Sequence, residues 1–123
     1  MTIPQDSRTC IDLHCHSTAS DGALSPEALI ARAVEQGVSH LALTDHDTIA
    51  GLEVARGAAS GSGLSLINGV ELSCVWRSHT IHVVGLDFDE RDPAFLAALE
   101  RQNECKIRRK YRIQQISSKS NTR

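Results

Sequence analysis

Hydrophobic and polar positions along the chain alternate in short blocks that predict strands and helices in turn. Residues 10–16 alternate with the period of two that is typical of a strand, and residues 40–44 form the short apolar run of a buried parallel strand. Between them, Ser25 and Pro26 are residue types that begin a helix, and Gly37 is a type that ends one. The pattern therefore predicts a strand, a helix and a second strand in this region.

Further elements are predicted along the rest of the chain. The apolar positions of the first helix fall on one face, and they are Leu29, Ile30, Ala33 and Val34. Thr48 is expected to cap a second helix over about residues 49–59, and strands are predicted over residues 64–75 and 80–86. A longer helix is predicted from Pro93 to about residue 116. This alternation of strands and helices predicts an α/β fold with parallel strands.

Composition and charge narrow the class of protein. With 123 residues, 41% of them hydrophobic and 23% charged, the chain is expected to be one small globular domain or a piece of a larger one. No apolar run approaches the roughly 18–20 residues that cross a bilayer, and the first residues do not resemble a signal peptide. We therefore expect a cytoplasmic location and no membrane partner. The four cysteines form no CxxC pair, so reduced thiols are favoured over a zinc site.

The charge is distributed unevenly along the chain. Residues 1–100 carry a net charge of −9 and residues 101–123 a net charge of +7. The arginine-rich stretch near residues 101–112 suits either a contact to a nucleic-acid backbone or a solvated helix face. The solvated face is the favoured interpretation.

Two histidines two residues apart are the first candidate chemistry. His14 and His16 would project from the same face of the first strand, with Cys15 on the other face. A pair of surface histidines is the alternative interpretation. Asp12 on the same face and Asp21 in the following loop favour a metal site over that alternative.

Other titratable residues lie within or just after predicted strands. Asp45, His46 and Asp47 follow the second strand, where α/β folds place their ligand sites, although Asp47 could instead help to cap a helix. Glu71 and His82 each interrupt an apolar strand, and a buried carboxylate requires a cation, a metal or solvent. Imidazole and carboxylate ligands suit Mn²⁺, Fe²⁺ or Zn²⁺, and several such ions in one pocket suit hydrolysis of phosphate esters.

Five motifs, in this order along the chain, resemble those of the PHP (polymerase and histidinol phosphatase) domain family. They are Asp-Leu-His-Cys-His-Ser at 12–17, Ser-Asp-Gly at 20–22, Leu-Thr-Asp-His-Asp-Thr at 43–48, Gly-Val-Glu-Leu-Ser at 69–73 and His-Val-Val-Gly-Leu at 82–86. The chain resembles in particular the bacterial small phosphoesterases that act on nucleoside 3′,5′-bisphosphates and as 5′→3′ exoribonucleases. The resemblance implies a distorted (β/α)7 barrel, of which this chain would form the N-terminal part.

The resemblance also implies the metal ligands, which are His14, His16, Asp21, His46, Glu71 and His82. The two histidines of the first motif would bind one ion and share the carboxylate of the fourth motif with a second. His82 would ligate the second ion, and Asp21 and His46 would contribute to a third. Asp12, Asp45 and Asp47 are expected to support these ligands from behind. The ions would be Mn²⁺ first, with Zn²⁺, Fe²⁺ and Mg²⁺ as other candidates, and they would supply the attacking water.

The chain departs from the family pattern after its fifth motif. Family members carry a later histidine and a closing Asp-x-His motif, but no histidine follows His82 here. We therefore expect an extension at residues 1–9, a truncated PHP domain at residues 10–116 and a disordered polar tail at residues 117–123. The full-length form would hydrolyse phosphomonoesters on nucleotides or short RNA. A non-catalytic fragment with residual metal binding and a PHP domain associated with a DNA polymerase are the alternatives. Because the later ligands are missing, these 123 residues alone are not expected to form a competent enzyme.

Overall fold

In the computed structural model of the protein, which describes residues 9–106, four strands form one sheet. They are Ile11–Cys15 (β1), His40–Leu43 (β2), Ser65–Trp76 (β3) and His79–Leu86 (β4), in the order β1-β2-β3-β4. β1, β2 and β3 are parallel to one another, whereas β4 runs antiparallel to β3. The predicted strands are therefore confirmed, and the last two form a hairpin at one edge of the sheet.

Helix α1 spans Pro26–Glu35 and begins at the predicted residue. The hydroxyl of Ser25 accepts a hydrogen bond from the Ala28 amide at 3.2 Å, which satisfies one of the unpaired donors of the first turn. Gly37 follows the helix with a φ of +79°, a conformation that glycine adopts at little steric cost. The sequence signals at both ends of this helix are thus confirmed.

The core lies between the sheet and the two helices α1 and α2, where α2 spans Leu52–Ala59. Its buried members are Ile30, Ala33, Leu41, Leu43, Leu52, Ala55, Ala59 and Leu64. Ala42, on the alternate face of β2, is also fully buried, as expected of a central parallel strand. Val34 lies at the margin of the apolar face of α1, where it is 39% exposed, whereas Ile30 and Ala33 are buried.

The predicted cap of α2 was wrong. The helix begins at Leu52 after Gly51, without a side-chain cap, and the Thr48 hydroxyl instead accepts a hydrogen bond from the Ala50 amide at 3.1 Å. The physical reason is tertiary, because the preceding residues continue alongside β3, where His46 forms a parallel bridge with Glu71. The chain must leave this pairing before the helix can begin.

The described chain divides into two compact units, and Asp89 is the last residue of the first. The first unit contains the sheet and both helices, so its fold is mixed α/β. In the second unit residues 93–106 are helical, which confirms the start of the helix predicted from Pro93. The continuation to residue 116 and the tail at 117–123 lie outside the described residues, as does the extension except for residue 9. No helix among the described residues is long and apolar enough to span a membrane.

The turn between β3 and β4 carries backbone strain. Arg77 and Ser78 have φ values of +48° and +68°. Two-residue hairpin turns with positive φ at both central positions favour Asn and Gly, because other side chains crowd the backbone there.

Replacing Ser78 by glycine is expected to relieve this strain. Ser78→Gly should raise the free energy of unfolding by about 1 kcal/mol, measured by chemical denaturation. The control is Ser65→Gly in the extended strand β3, which should lower it by about 0.5–1 kcal/mol because glycine loses more backbone entropy there. Equal losses in the two variants would show that the turn is not strained.

Cys15 packs against the core from the end of β1. Its thiol lies 3.2 Å from the carbonyl oxygen of Ala42 and donates to it. Burial raises the pKa of the Cys15 thiol from 9.0 to about 12, and the negative charges of Asp12 and Asp45 act in the same direction. The thiol therefore stays protonated and poorly reactive at neutral pH.

Alkylation of the folded protein at pH 8 should modify the exposed Cys10 much faster than Cys15, as measured by mass spectrometry of peptides. Because the folded pKa of Cys15 is raised above 9.0, the neutral buried thiol stabilises the fold below pH 9, and this contribution is lost as the pH rises towards about 12. Equal alkylation rates at the two cysteines of the folded protein would contradict this assignment.

Candidate metal centre

The imidazoles of His14 and His16 meet at the carboxyl end of β1. Their Nε2 atoms lie 3.1 Å apart, and their ring centroids lie 5.0 Å apart. The strand end is held to β2 by Thr44, whose hydroxyl donates to the Cys15 carbonyl at 3.0 Å and lies 3.2 Å from the Cys15 amide. The two histidines are therefore presented together, while the Cys15 side chain packs against the core.

His46 enters the same cluster from the end of β2. Its ring stacks on that of His16, with centroids 4.4 Å apart and planes 15° apart. Its Nδ1 lies 2.7 Å from Oε2 of Glu71, and its Nε2 lies 3.1 Å from Oδ2 of Asp21. His46 thus lies between a buried carboxylate and an exposed one.

Glu71 of β3 is the carboxylate that the histidines surround. Its side chain is only 7% exposed, and its Oε1 lies 2.8 Å from Nε2 of His14. Its Oε2 lies 3.9 Å from His16 Nε2 and 3.9 Å from His82 Nδ1. With the 2.7 Å contact to His46, four imidazoles converge on one carboxylate. The carboxylate within an apolar strand therefore has the partners that its burial requires.

Asp21 and His82 complete the rim of the cluster. The side chain of Asp21, in the loop after β1, is 65% exposed and has an oxygen 3.6 Å from Nδ1 of His16. His82, on β4, pairs across the hairpin with Ser73 and presents a ring 5.6 Å from that of His46. All six predicted ligand residues therefore lie together, beyond the carboxyl ends of β1 and β2 and beside the middle of the β3–β4 hairpin.

Three overlapping groups of donor atoms are close enough to hold a cation. They are His14, His16 and Glu71; His16, Asp21 and His46; and His46, Glu71 and His82. Glu71, His16 and His46 each belong to two groups, whereas the resemblance alone had placed His16 in one and His46 in one. The overlap makes this cluster a candidate for several neighbouring ions.

The donor atoms suit a divalent metal ion in chemistry, and their spacing is close to the one that it requires. Within each group they lie within 4.8 Å of one another, whereas atoms that ligate one ion at about 2.0–2.2 Å lie within about 4 Å of each other, so the side chains would move slightly closer together around an ion. Nδ1 of His16 is buried without a hydrogen-bond partner, since the nearest oxygen of Asp21 is too distant at 3.6 Å. A cation at this position would supply the missing partner.

Each of the three aspartates that are expected to support the ligands accepts a hydrogen bond. Asp12 accepts from the His14 amide at 3.1 Å, and Asp47 accepts from the Ser73 amide at 3.1 Å. Asp47 has a φ of +53°, which lets its own amide donate to the Glu71 carbonyl at 2.9 Å. Asp45 is almost fully buried and accepts hydrogen bonds from the loop that carries Asp21.

Sequence reasoning missed several residues on which this geometry depends. Ser17 and Ser20 bind Asp45 through their hydroxyl groups, and local sequence contains no signal for contacts that span 28 and 25 residues. A Cβ atom at Gly22 would collide with the carbonyl group of His16, and one at Gly69 would lie 2.7 Å from the Leu43 carbonyl oxygen. The glycine of the Ser-Asp-Gly motif could have been recognised as a site of close backbone approach.

Comparison with known proteins identifies relatives along most of the chain. The PHP domain family matches residues 12–118. A 5′-3′ exoribonuclease of Haemophilus influenzae is 53% identical over 102 residues, which cover 83% of this chain and 37% of that protein. A 3′,5′-nucleoside bisphosphate phosphatase of Chromobacterium violaceum is 48% identical over 99 residues, which cover 80% of this chain and 35% of that protein.

A solved structure shows the same architecture. A candidate metal-dependent phosphoesterase of Bifidobacterium adolescentis superposes with a TM-score of 0.74 at 29% sequence identity, over 83% of this chain and 36% of that one. This chain thus spans about a third of the length of the relatives it matches, and its four-stranded α/β unit corresponds to part of the PHP barrel. The chain belongs to the PHP domain family.

Proposed function

We propose that this chain contributes the metal centre of a phosphoesterase, which in its full-length form hydrolyses phosphomonoesters on nucleotides or short RNA. The relatives named for 3′,5′-nucleoside bisphosphate phosphatase and 5′-3′ exoribonuclease activities support this substrate class. The observation that carries the proposal is the convergence of four imidazoles on the Glu71 carboxylate. Imidazole and carboxylate groups that converge in this way form a donor set that suits a divalent cation.

The proposed ligands would differ in how far they are exposed to solvent. Glu71, with a side chain only 7% exposed, would be the buried ligand, and it belongs to two of the three donor groups. His14, His82 and Asp21 have side chains that are 55%, 50% and 65% exposed, so they would hold ions on the side open to solvent. A phosphate group could approach from that side.

Divalent ions at this centre would supply an activated water and polarise the phosphoryl oxygens, with Mn²⁺ as the first candidate. The side chains of the protein would position the ions and offset their positive charge. Glu71 and Asp21 would offset the charge of the ions, and stacking of His16 on His46 would fix the direction of both rings. No side chain is assigned as a general base. Zn²⁺, Fe²⁺ and Mg²⁺ remain further candidates, and a cytoplasmic location stays a prediction.

Metal binding by the purified chain tests the centre directly. Calorimetric titration with Mn²⁺ should detect at least one bound ion per chain, and Glu71→Gln should weaken binding by about 100-fold because the residue belongs to two of the donor groups. Glu53→Gln, at an exposed position in the first turn of α2, is the matched control and should bind as the original chain does. Equal affinities for all three proteins would contradict the proposed centre.

Turnover separates the proposal from its alternative, a non-catalytic fragment that only binds metal. Release of phosphate from a nucleoside 3′,5′-bisphosphate should be measured with Mn²⁺, for this chain and for a protein extended with the later segments of the exoribonuclease relative. Activity of the extended protein that disappears in Glu71→Gln would support the phosphoesterase. Metal binding by both proteins without turnover by either would favour the alternative. The DNA polymerase association stays a prediction that this assay does not address.

A further inference from the structure

Asp45 is a buried carboxylate that the proposed metal centre does not use as a ligand. It is 1% exposed. Three donors reach it at short distances: the Ser17 amide at 2.6 Å, the Ser17 hydroxyl at 2.7 Å and the Ser20 hydroxyl at 2.8 Å. Hydrogen bonds to a charged acceptor are strong, so these contacts offset the desolvation of the carboxylate.

The loop that these contacts hold is the one that carries Asp21. Ser20 also donates its amide to the Ser17 carbonyl at 3.0 Å, and Gly22 donates to the same carbonyl at 2.8 Å. Asp21 therefore lies between two residues whose backbones are anchored to Ser17. Ser17 is itself fully buried and bonded to Asp45. These buried contacts therefore fix the backbone position of Asp21, although the Asp21 side chain is largely exposed.

The same aspartate is joined to two other ligand-bearing segments. It directly precedes His46 in the chain, and its carbonyl oxygen accepts a hydrogen bond from the Glu71 amide at 3.0 Å. Asp45 thus connects the loop after β1, the end of β2 and the middle of β3. These three segments supply Asp21, His46 and Glu71.

We propose that Asp45, acting through the hydroxyl groups of Ser17 and Ser20, is the positioning residue that aligns Asp21 with His46 and Glu71 for cation binding. This inference rests on the proposed metal centre. A role in fold stability alone would also explain a buried aspartate with three hydrogen bonds. Only the positioning role requires that loss of one of these hydroxyl groups weaken metal affinity more than it weakens the fold.

Substitutions at Ser20 separate the two roles. Ser20→Ala removes one hydrogen bond to Asp45, and we expect Mn²⁺ affinity to fall by about ten-fold, in the range found when groups behind metal ligands are lost. Ser20→Thr keeps the hydroxyl and should restore affinity to within about two-fold of the original chain. The matched control is Ser25→Ala, which removes the cap of α1 and should lower the midpoint of thermal unfolding without changing affinity.

Affinity is measured by calorimetry, and the coordination environment by the visible absorption of bound Co²⁺. Under the proposal, Ser20→Ala alters the Co²⁺ spectrum, whereas Ser20→Thr and Ser25→Ala do not. If Ser20→Ala and Ser25→Ala lose stability and keep the same Mn²⁺ affinity and Co²⁺ spectrum, the positioning role is overturned while the metal centre stands. If the original chain binds no Mn²⁺, the metal centre itself fails, and the positioning role with it.

A variant at the carboxylate provides a second measurement. Asp45→Asn keeps one oxygen that accepts from the Ser17 amide and the Ser20 hydroxyl, but it places an NH₂ group, which cannot accept a hydrogen bond, against the Ser17 hydroxyl. Its Mn²⁺ affinity should fall at least as far as that of Ser20→Ala. Original affinity in a folded Asp45→Asn variant, verified by circular dichroism, would also overturn the positioning role.

Discussion

The backbone pairing of His46 with Glu71 is the constraint on which the candidate site depends. The parallel register of β2 and β3 ends at Leu43, yet the chain stays beside β3 as far as Asp47. Two hydrogen bonds hold it there: the Glu71 amide donates to the Asp45 carbonyl, and the Asp47 amide donates to the Glu71 carbonyl. Asp47 adopts a positive φ to make this possible. One short irregular segment thereby places an imidazole 2.7 Å from a buried carboxylate. Without it, His46 would leave with the chain towards α2.

The remaining ligands are arranged around that pair by the topology of the sheet. β1 and β2 are parallel, so their carboxyl ends lie at the same edge, and His14 and His16 meet His46 there. The antiparallel strand β4 returns along β3 and brings His82 opposite Ser73. Parallel strands alone would have directed that histidine elsewhere. The hairpin therefore positions one residue of the candidate site.

The sequence predicted the strands, the first helix and the group of titratable residues, because each rests on a local pattern. His14 and His16 follow from the two-residue period of a strand, and His46 from its place after an apolar run. Thr48 was misplaced because a local capping signal is overridden by the tertiary pairing of the preceding residues. The bonds of Ser17 and Ser20 to Asp45 could not be predicted, since they join residues 28 and 25 positions apart. Metal binding by the six clustered residues, and their role in a phosphoesterase, are still predictions.

The most direct test of the account is the location of bound ions. Crystals of this chain grown with Mn²⁺ should give anomalous diffraction peaks within the donor groups that share Glu71, between the imidazoles of His14 and His16 and beside that of His46. Peaks at these positions would support one buried carboxylate as the shared ligand of a metal centre. Well-ordered crystals in which His14, His46 and Glu71 contact one another directly, with no anomalous signal between them at saturating Mn²⁺, would contradict it.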